Sequence, residues 1–114
     1  KALLEIPVYF GKKNNIDLGP ESRQYLNKVA DLLSKYPESR IIIKGHTCDL
    51  GTPAINEQRS KERAIICADY LISHGVAKER IQVVAISTAE PAAPNDSEEN
   101  RQRNRRVTMM FIEG

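Results

Sequence analysis

Four short runs of apolar residues along the chain predict β-strands. The first run, Leu3–Phe10, contains Pro7, which lacks a backbone donor and therefore predicts a strand that lies at the edge of a sheet or enters the pairing after the proline. The second run, Arg40–His46, carries three consecutive isoleucines, which indicates a central strand that is buried on both faces. Arg80–Ile86 and Arg106–Ile112 predict a third strand and a last strand.

Two longer stretches have the three- and four-residue spacing of amphipathic helices. The first helix is expected between Pro20 and Tyr36, because Pro20 suits a first helical turn and Pro37 stops the helix. The second is expected from about Ile55 to Ser73, and a short third helix over Ser97–Asn104. The predicted inner face of the first helix consists of Tyr25, Leu26, Val29, Leu32, Leu33 and Tyr36. The second helix has an inner stripe of Ala64, Cys67, Ala68, Leu71 and Ile72, and an outer side with Glu57, Arg59, Lys61, Glu62 and Arg63.

The order of these elements, β-α-β-α-β-(α)-β, predicts a two-layer α/β sandwich. Right-handed crossovers place both long helices on one face of a mixed sheet of about four strands. A length of 114 residues suits a single domain over 1–114. Because the chain starts at Lys1 rather than Met, we interpret this domain as part of a longer protein.

The composition excludes several classes of function. A net charge of +2 gives no general attraction to nucleic acid, and six Phe and Tyr residues with no Trp offer no platform for stacking bases. Strand alternation sends Arg105 and Arg106 to opposite faces, so the arginines near the C-terminus do not form one patch. No apolar run approaches the ~18 residues that cross a membrane, and no His or Cys spacing matches a zinc site. We therefore expect no membrane span, no metal and no cofactor.

The segment from Gly45 to Ala64 contains the candidate site. It forms a loop after a central strand and leads into a helix, and such loops lie where open α/β folds place their ligands. Thr47, Cys48, Asp49 and Asn56 contribute small polar groups to this cleft. Arg63 lies two helical turns beyond Asn56, on the same side of the helix. An acid and an arginine across a cleft can hold a zwitterion, the ammonium on one and the carboxylate on the other.

Four motifs in this order resemble the OmpA-like peptidoglycan-binding domain of outer-membrane porins, peptidoglycan-associated lipoproteins and flagellar motor stators. The family pattern is G-H-T-D-x-x-G, then N and L-S-x-x-R-A, then a helix that ends in Gly, and finally N-R-R-V. The corresponding segments here are Gly45–Gly51, Asn56, Arg59–Ala64, His74–Gly75 and Asn104–Val107. The resemblance covers the chain from about Val8 to Phe111.

The resemblance implies a non-catalytic module that anchors an envelope protein to peptidoglycan at the periplasmic face of the Gram-negative outer membrane. Its ligand would be the stem peptide of peptidoglycan, chiefly the diaminopimelate residue, with Arg63 on the carboxylate and an acid on the amino group. The residues expected to bind the ligand are Thr47, Cys48, Asp49, Leu50, Gly51, Asn56, Arg59 and Arg63.

Three departures make the predicted cleft more basic than the family pattern. Cys48 stands at the position of the ligand Asp, Arg59 replaces a Leu, and Lys12–Lys13 occupy a loop that often carries an Asp. We therefore expect Asp49, the next acid, to take the role of the missing carboxylate. We also expect the chain to fold without the Arg63 side chain, which is placed on the outer part of its helix.

Other interpretations of the same residues stay open at this stage. Asp49 can cap the second helix, and Asn56 can bind its own loop backbone. The same fold with a drifted cleft would serve as a protein-protein assembly domain in an envelope machine. A small hydrolase would need a thiolate and a base from Cys48 and His46, but a histidine at a strand end is more often packed.

The two cysteines, Cys48 and Cys67, are expected to stay unbonded. Cys48 lies at the carboxyl end of the second strand, and Cys67 lies about twelve residues into the helix that follows. At 1.5 Å per residue this places Cys67 about 18 Å along the helix from its start. A disulfide needs Cα atoms within about 7 Å of each other. Cys67 is therefore predicted to be a small core residue.

Overall fold

The computed structural model describes residues 2–9, 19–47, 51–88 and 94–112. The elements follow one another as the sequence predicts, with one additional 3-10 turn before the third strand. They are β1 (Ala2–Tyr9), α1 (Pro20–Lys35), β2 (Arg40–His46), α2 (Pro53–Ser73), the 3-10 turn (Lys78–Arg80), β3 (Ile81–Ser87), α3 (Glu98–Asn104) and β4 (Arg106–Ile112).

The four strands form one mixed sheet in the order β1-β4-β2-β3. The last strand, β4, lies between β1 and β2 and is antiparallel to both, whereas β2 and β3 are parallel. The edge position predicted for β1 from its proline and the central position predicted for β2 are both confirmed. In this register Ile43 of β2 lies between Met109 of β4 and Val83 of β3.

Both long helices cover the same face of the sheet. Their buried side chains and the inward residues of β2 and β4 belong to one core cluster, which confirms the predicted two-layer arrangement. The core consists of Leu26, Val29, Ala30 and Leu33 from α1, Ala64, Cys67, Ala68 and Leu71 from α2, Ile41 and Ile43 from β2, Val107, Met109 and Phe111 from β4, and Val76.

The burial pattern differs from the prediction at four apolar positions. Leu32, Tyr36 and Ile72 were expected in the core but are 36%, 49% and 39% exposed. In a two-layer fold the far side of each helix faces solvent, so a helix buries a narrower stripe than the sequence pattern suggested. Ile42 points to the sheet face opposite the helices and is only half-buried, so β2 is fully covered on one face alone.

The C-terminus of α1 is capped by a side chain from a distant part of the chain. The Arg80 guanidinium donates to the carbonyl oxygens of Leu33 at 2.7 Å and Tyr36 at 2.9 Å, and its Nε donates to that of Ser39 at 2.9 Å. The last carbonyls of a helix have no partner within the helix, so these bonds supply what the helix itself lacks. This contact fixes α1 against the start of β3.

Candidate functional site

A very close approach between α2 and β2 determines where the site lies. A β-carbon built on Gly45 would come 1.7 Å from the carbonyl oxygen of Ser60, so only glycine fits this position of the strand. Ser60 itself is fully buried, and its hydroxyl donates to the Glu57 carbonyl oxygen at 2.9 Å. The helix backbone therefore rests directly on the strand near its carboxyl end.

Arg63 lies almost one turn after this contact and is completely buried. Its Nη1 donates to the hydroxyl oxygen of Thr47 at 3.4 Å, and Thr47, just after β2, is itself 3% exposed. The sequence placed Arg63 on the outer side of the helix, and that assignment is wrong. The close approach at Gly45 turns this side of α2 towards the end of the strand, so the guanidinium is enclosed between the two elements.

Asn56, about one turn before the Gly45 contact, is also buried, with 5% of its surface exposed. Its Nδ2 donates to the carbonyl oxygen of Gly51 at 3.5 Å, which agrees with the loop-binding interpretation of this residue. Gly51 has φ +100°, a conformation that favours glycine, and the next residue, Thr52, caps α2 by accepting from the Ile55 amide at 3.2 Å. Asn56 thus holds the end of the loop against the first turn of the helix.

Two polar atoms beside Gly51 have no hydrogen-bond partner among the described residues. They are Oδ1 of Asn56 and Nη1 of Arg59, and both are shielded from solvent. The sequence pattern predicted Arg59 on the outer side of the helix, but its side chain is half-buried. A β-carbon on Gly51 would lie 3.2 Å from each of the two atoms. Both atoms therefore lie next to the position that a side chain at residue 51 would occupy.

The predicted ligand residues Cys48, Asp49 and Leu50 lie outside the described residues, as do Lys12–Lys13. Cys67 is a free, fully buried cysteine, in agreement with the prediction that it is not in a disulfide. Burial raises the pKa of the Cys67 thiol to about 12, so this group stays protonated at neutral pH.

The last family motif, Asn104–Val107, contributes to a second buried polar cluster. Asn104 and Arg105 are fully buried; Asn104 donates to the side chain of Asn95 at 2.8 Å, and Arg105 is paired with Glu98. The prediction that Arg105 and Arg106 alternate along a strand is wrong in part, because Arg105 belongs to the C-terminal cap of α3 and only Arg106 begins β4. Both are buried, so neither contributes to a basic surface.

His46 is packed and hydrogen-bonded, as expected for a histidine at a strand end. It is 1% exposed, and its Nε2 lies 2.9 Å from the hydroxyl of Thr108. Thr108 alternates with the core residues Val107 and Met109, so this pair lies on the sheet face away from the helices. His46 and the Arg63–Thr47 contact therefore belong to opposite faces of the sheet.

The described residues contain neither a helix that could span a membrane nor a cluster of metal-binding side chains. No helix in 19–47, 51–88 or 94–112 combines the length and the hydropathy of a membrane span. Within the same part of the chain, no group of three or more His, Cys, Asp or Glu side chains is arranged to hold a metal ion.

Known proteins are similar to this chain in sequence and in architecture. The sequence model of the OmpA family matches residues 9–105. The peptidoglycan-binding protein ArfA of Mycobacterium tuberculosis is 39% identical over 104 residues, which are 91% of this chain and 32% of ArfA. The chain thus spans about a third of the length of this relative. The match to the family covers most of the chain, and the chain belongs to the OmpA family.

Solved structures agree with this assignment. The peptidoglycan-associated lipoprotein of Burkholderia pseudomallei superposes with a TM-score of 0.87 at 25% identity, over 92% of this chain and 88% of that one. The cell wall anchor of the T6SS from Pseudomonas aeruginosa superposes with a TM-score of 0.80 at 26% identity, over 96% of this chain and 81% of that one.

Proposed function

We propose that this chain is a non-catalytic module that attaches a cell-envelope protein to peptidoglycan through the diaminopimelate-containing stem peptide. The observation that carries the proposal is the contact between Arg63 and Thr47. It joins the end of the G-H-T motif to the R-A motif, two segments that the family pattern associates with the ligand. Relatives described as a peptidoglycan-binding protein, a peptidoglycan-associated lipoprotein and a cell wall anchor support it.

The chemistry of Arg63 suits a carboxylate ligand. A guanidinium stays protonated at any pH at which proteins fold, and it offers several N–H donors in a fixed plane. Thr47 receives one of these donors and so fixes the orientation of the group. Buried hydrogen bonds between a guanidinium and a carboxylate are stronger than those on the surface, because little water competes for them.

The amino end of the ligand requires an acceptor of negative charge. Asp49 is the acid of the loop between Thr47 and Gly51, and we propose that it meets the ammonium of diaminopimelate. Cys48 cannot replace it, because a neutral thiol is a weak acceptor. The parent protein would then be held at the periplasmic side of the outer membrane in a Gram-negative envelope.

Binding to purified peptidoglycan sacculi tests the proposal. The wild-type chain should sediment with sacculi, and the free tripeptide L-alanyl-γ-D-glutamyl-meso-diaminopimelate should release it. Arg63→Met should lower the affinity by at least about tenfold, because loss of one partner of a buried charge pair costs 2–5 kcal/mol or more. Arg103→Met is the matched control, since the Arg103 side chain is 57% exposed and its ion pair is with the exposed Glu99.

Because Arg63 is buried, the stability of each variant must be measured beside its binding. Urea unfolding separates a folded variant that does not bind from a variant that does not fold. Failure of the folded wild type to sediment, or sedimentation that the tripeptide leaves unchanged, would contradict the proposal and favour a role in protein-protein assembly.

A further inference from the structure

The two polar atoms beside Gly51 differ in kind. Oδ1 of Asn56 can only accept a hydrogen bond, and Nη1 of Arg59 can only donate one. The bond from Nδ2 of Asn56 to the Gly51 carbonyl fixes which end of the carboxamide points to the loop, so Oδ1 points the other way. Both atoms are shielded and lack a partner among the described residues, although buried polar atoms are usually hydrogen-bonded.

A single ligand group that satisfies both atoms must carry a donor and an acceptor. A carboxylate would bind Nη1 of Arg59, but its oxygens can give nothing to Oδ1 of Asn56. An ammonium would suit Asn56 and be repelled by the guanidinium. A primary carboxamide has its oxygen and its NH₂ group side by side in one plane, which matches the planar guanidinium on one side and the acceptor on the other. A hydroxyl carries a donor and an acceptor on a single oxygen, so binding of a peptide-free disaccharide distinguishes it from the carboxamide.

Glycine at position 51 leaves the space between these two atoms free of a side chain. A side chain there would stand 3.2 Å from both polar atoms and occupy the space in front of them. Arg59 also stands where the family pattern has a leucine, so the donor is a feature of this chain rather than of the pattern. We propose that Asn56, Arg59 and Gly51 form a subsite for a primary carboxamide, and that this domain prefers stem peptides in which a carboxyl group is amidated.

This inference rests on the proposed function, since the carboxamide belongs to the stem peptide that Arg63 would hold. A stem peptide has two kinds of carboxyl group that can carry the amide, the α-carboxyl of glutamate and the side-chain carboxyl of diaminopimelate. The affinity should therefore be measured by calorimetry for three tripeptides: the free acid, the form amidated at glutamate and the form amidated at diaminopimelate.

One of the two amidated tripeptides should bind the wild type about tenfold more tightly than the free acid, because the free acid leaves the Asn56 acceptor buried without a donor. Asn56→Leu should bind the amidated tripeptide and the free acid with about equal affinity, since the acceptor is gone. Arg59→Leu, which restores the residue of the family pattern, should weaken binding of the preferred amide, and Arg103→Leu should change nothing.

The outcomes separate the two proposals. Equal or tighter binding of the free acid by the wild type overturns the carboxamide subsite and leaves peptidoglycan binding intact. An amide preference that survives in folded Asn56→Leu also overturns the assignment, because the preference then arises elsewhere. Binding of a peptide-free disaccharide that Asn56→Leu abolishes would show that the subsite takes a hydroxyl instead. If no tripeptide binds, the proposed function fails and the subsite fails with it.

Discussion

Replacing Gly45 by alanine tests the contact on which the whole site depends. The new β-carbon would lie 1.7 Å from the Ser60 carbonyl oxygen and 2.5 Å from its carbon. The helix must retreat by about 1.3 Å before the shorter contact reaches 3.0 Å, below which β-carbon contacts essentially do not occur. The obstructing atoms are backbone, so no change of side-chain rotamer can relieve the overlap.

The cost of this substitution should therefore lie at the upper end of the range for overpacked cores. We expect the free energy of unfolding to fall by about 3 kcal/mol, since overpacking costs 1–3 kcal/mol where side chains can adjust. Retreat of α2 also draws Ala64, Cys67 and Leu71 away from the core they fill. For a domain of this size the melting temperature should fall by about 10 °C or more.

Urea unfolding followed by circular dichroism measures the effect, with Gly19→Ala as the matched control. Gly19, the N-cap of α1, has φ −77°, and a β-carbon there would meet nothing within 4 Å, so alanine should cost no more than the difference between the two residues at an N-cap, about 1 kcal/mol. A midpoint for Gly45→Ala equal to that of Gly19→Ala would refute the argument that α2 rests on β2. A folded Gly45→Ala that keeps full affinity for sacculi would show that the close approach does not position Arg63.

Three further predictions concern separate parts of the molecule. Burial raises the pKa of the Cys67 thiol to about 12, so the folded chain holds this proton to a higher pH than the unfolded chain. The contribution of this thiol to the free energy of unfolding should be complete below about pH 9 and fall above it by about 1.4 kcal/mol per pH unit. Unfolding curves of Cys67→Ala should lack this contribution and keep the slope that Tyr25, whose pKa burial also raises, adds at higher pH. Arg80→Met should lower the free energy of unfolding by about 2 kcal/mol, because it removes the donors that cap α1, and thermal melts should show no such loss for the exposed Arg103→Met. Asp49→Asn should weaken binding of the diaminopimelate tripeptide about tenfold but leave binding of an analogue without its free amino group unchanged, and equal loss for both peptides would contradict the proposed ammonium contact.

Much of the fold follows from local features of the sequence. The prolines at positions 7, 20 and 37 mark an edge strand, the start of a helix and its end, and each of these assignments agrees with the structure. Such signals are local because a proline acts through its own φ angle and its missing N–H. The family motifs likewise pointed to the segment from Gly45 to Ala64 and to Arg63 within it, because their spacing along the chain is a property of the sequence alone.

The environment of those residues was decided only when the elements packed together. Helical periodicity put Arg63 among the charged residues of the outer side, yet it is fully buried, because α2 approaches β2 so closely at Gly45. A sequence shows that position 45 is glycine but not which distant carbonyl occupies the space of its missing side chain. The same holds for β4, whose place between β1 and β2 depends on pairing between strands far apart in the chain. Burial and strand order come from contacts between distant segments, and for that reason the tertiary structure alone determined them.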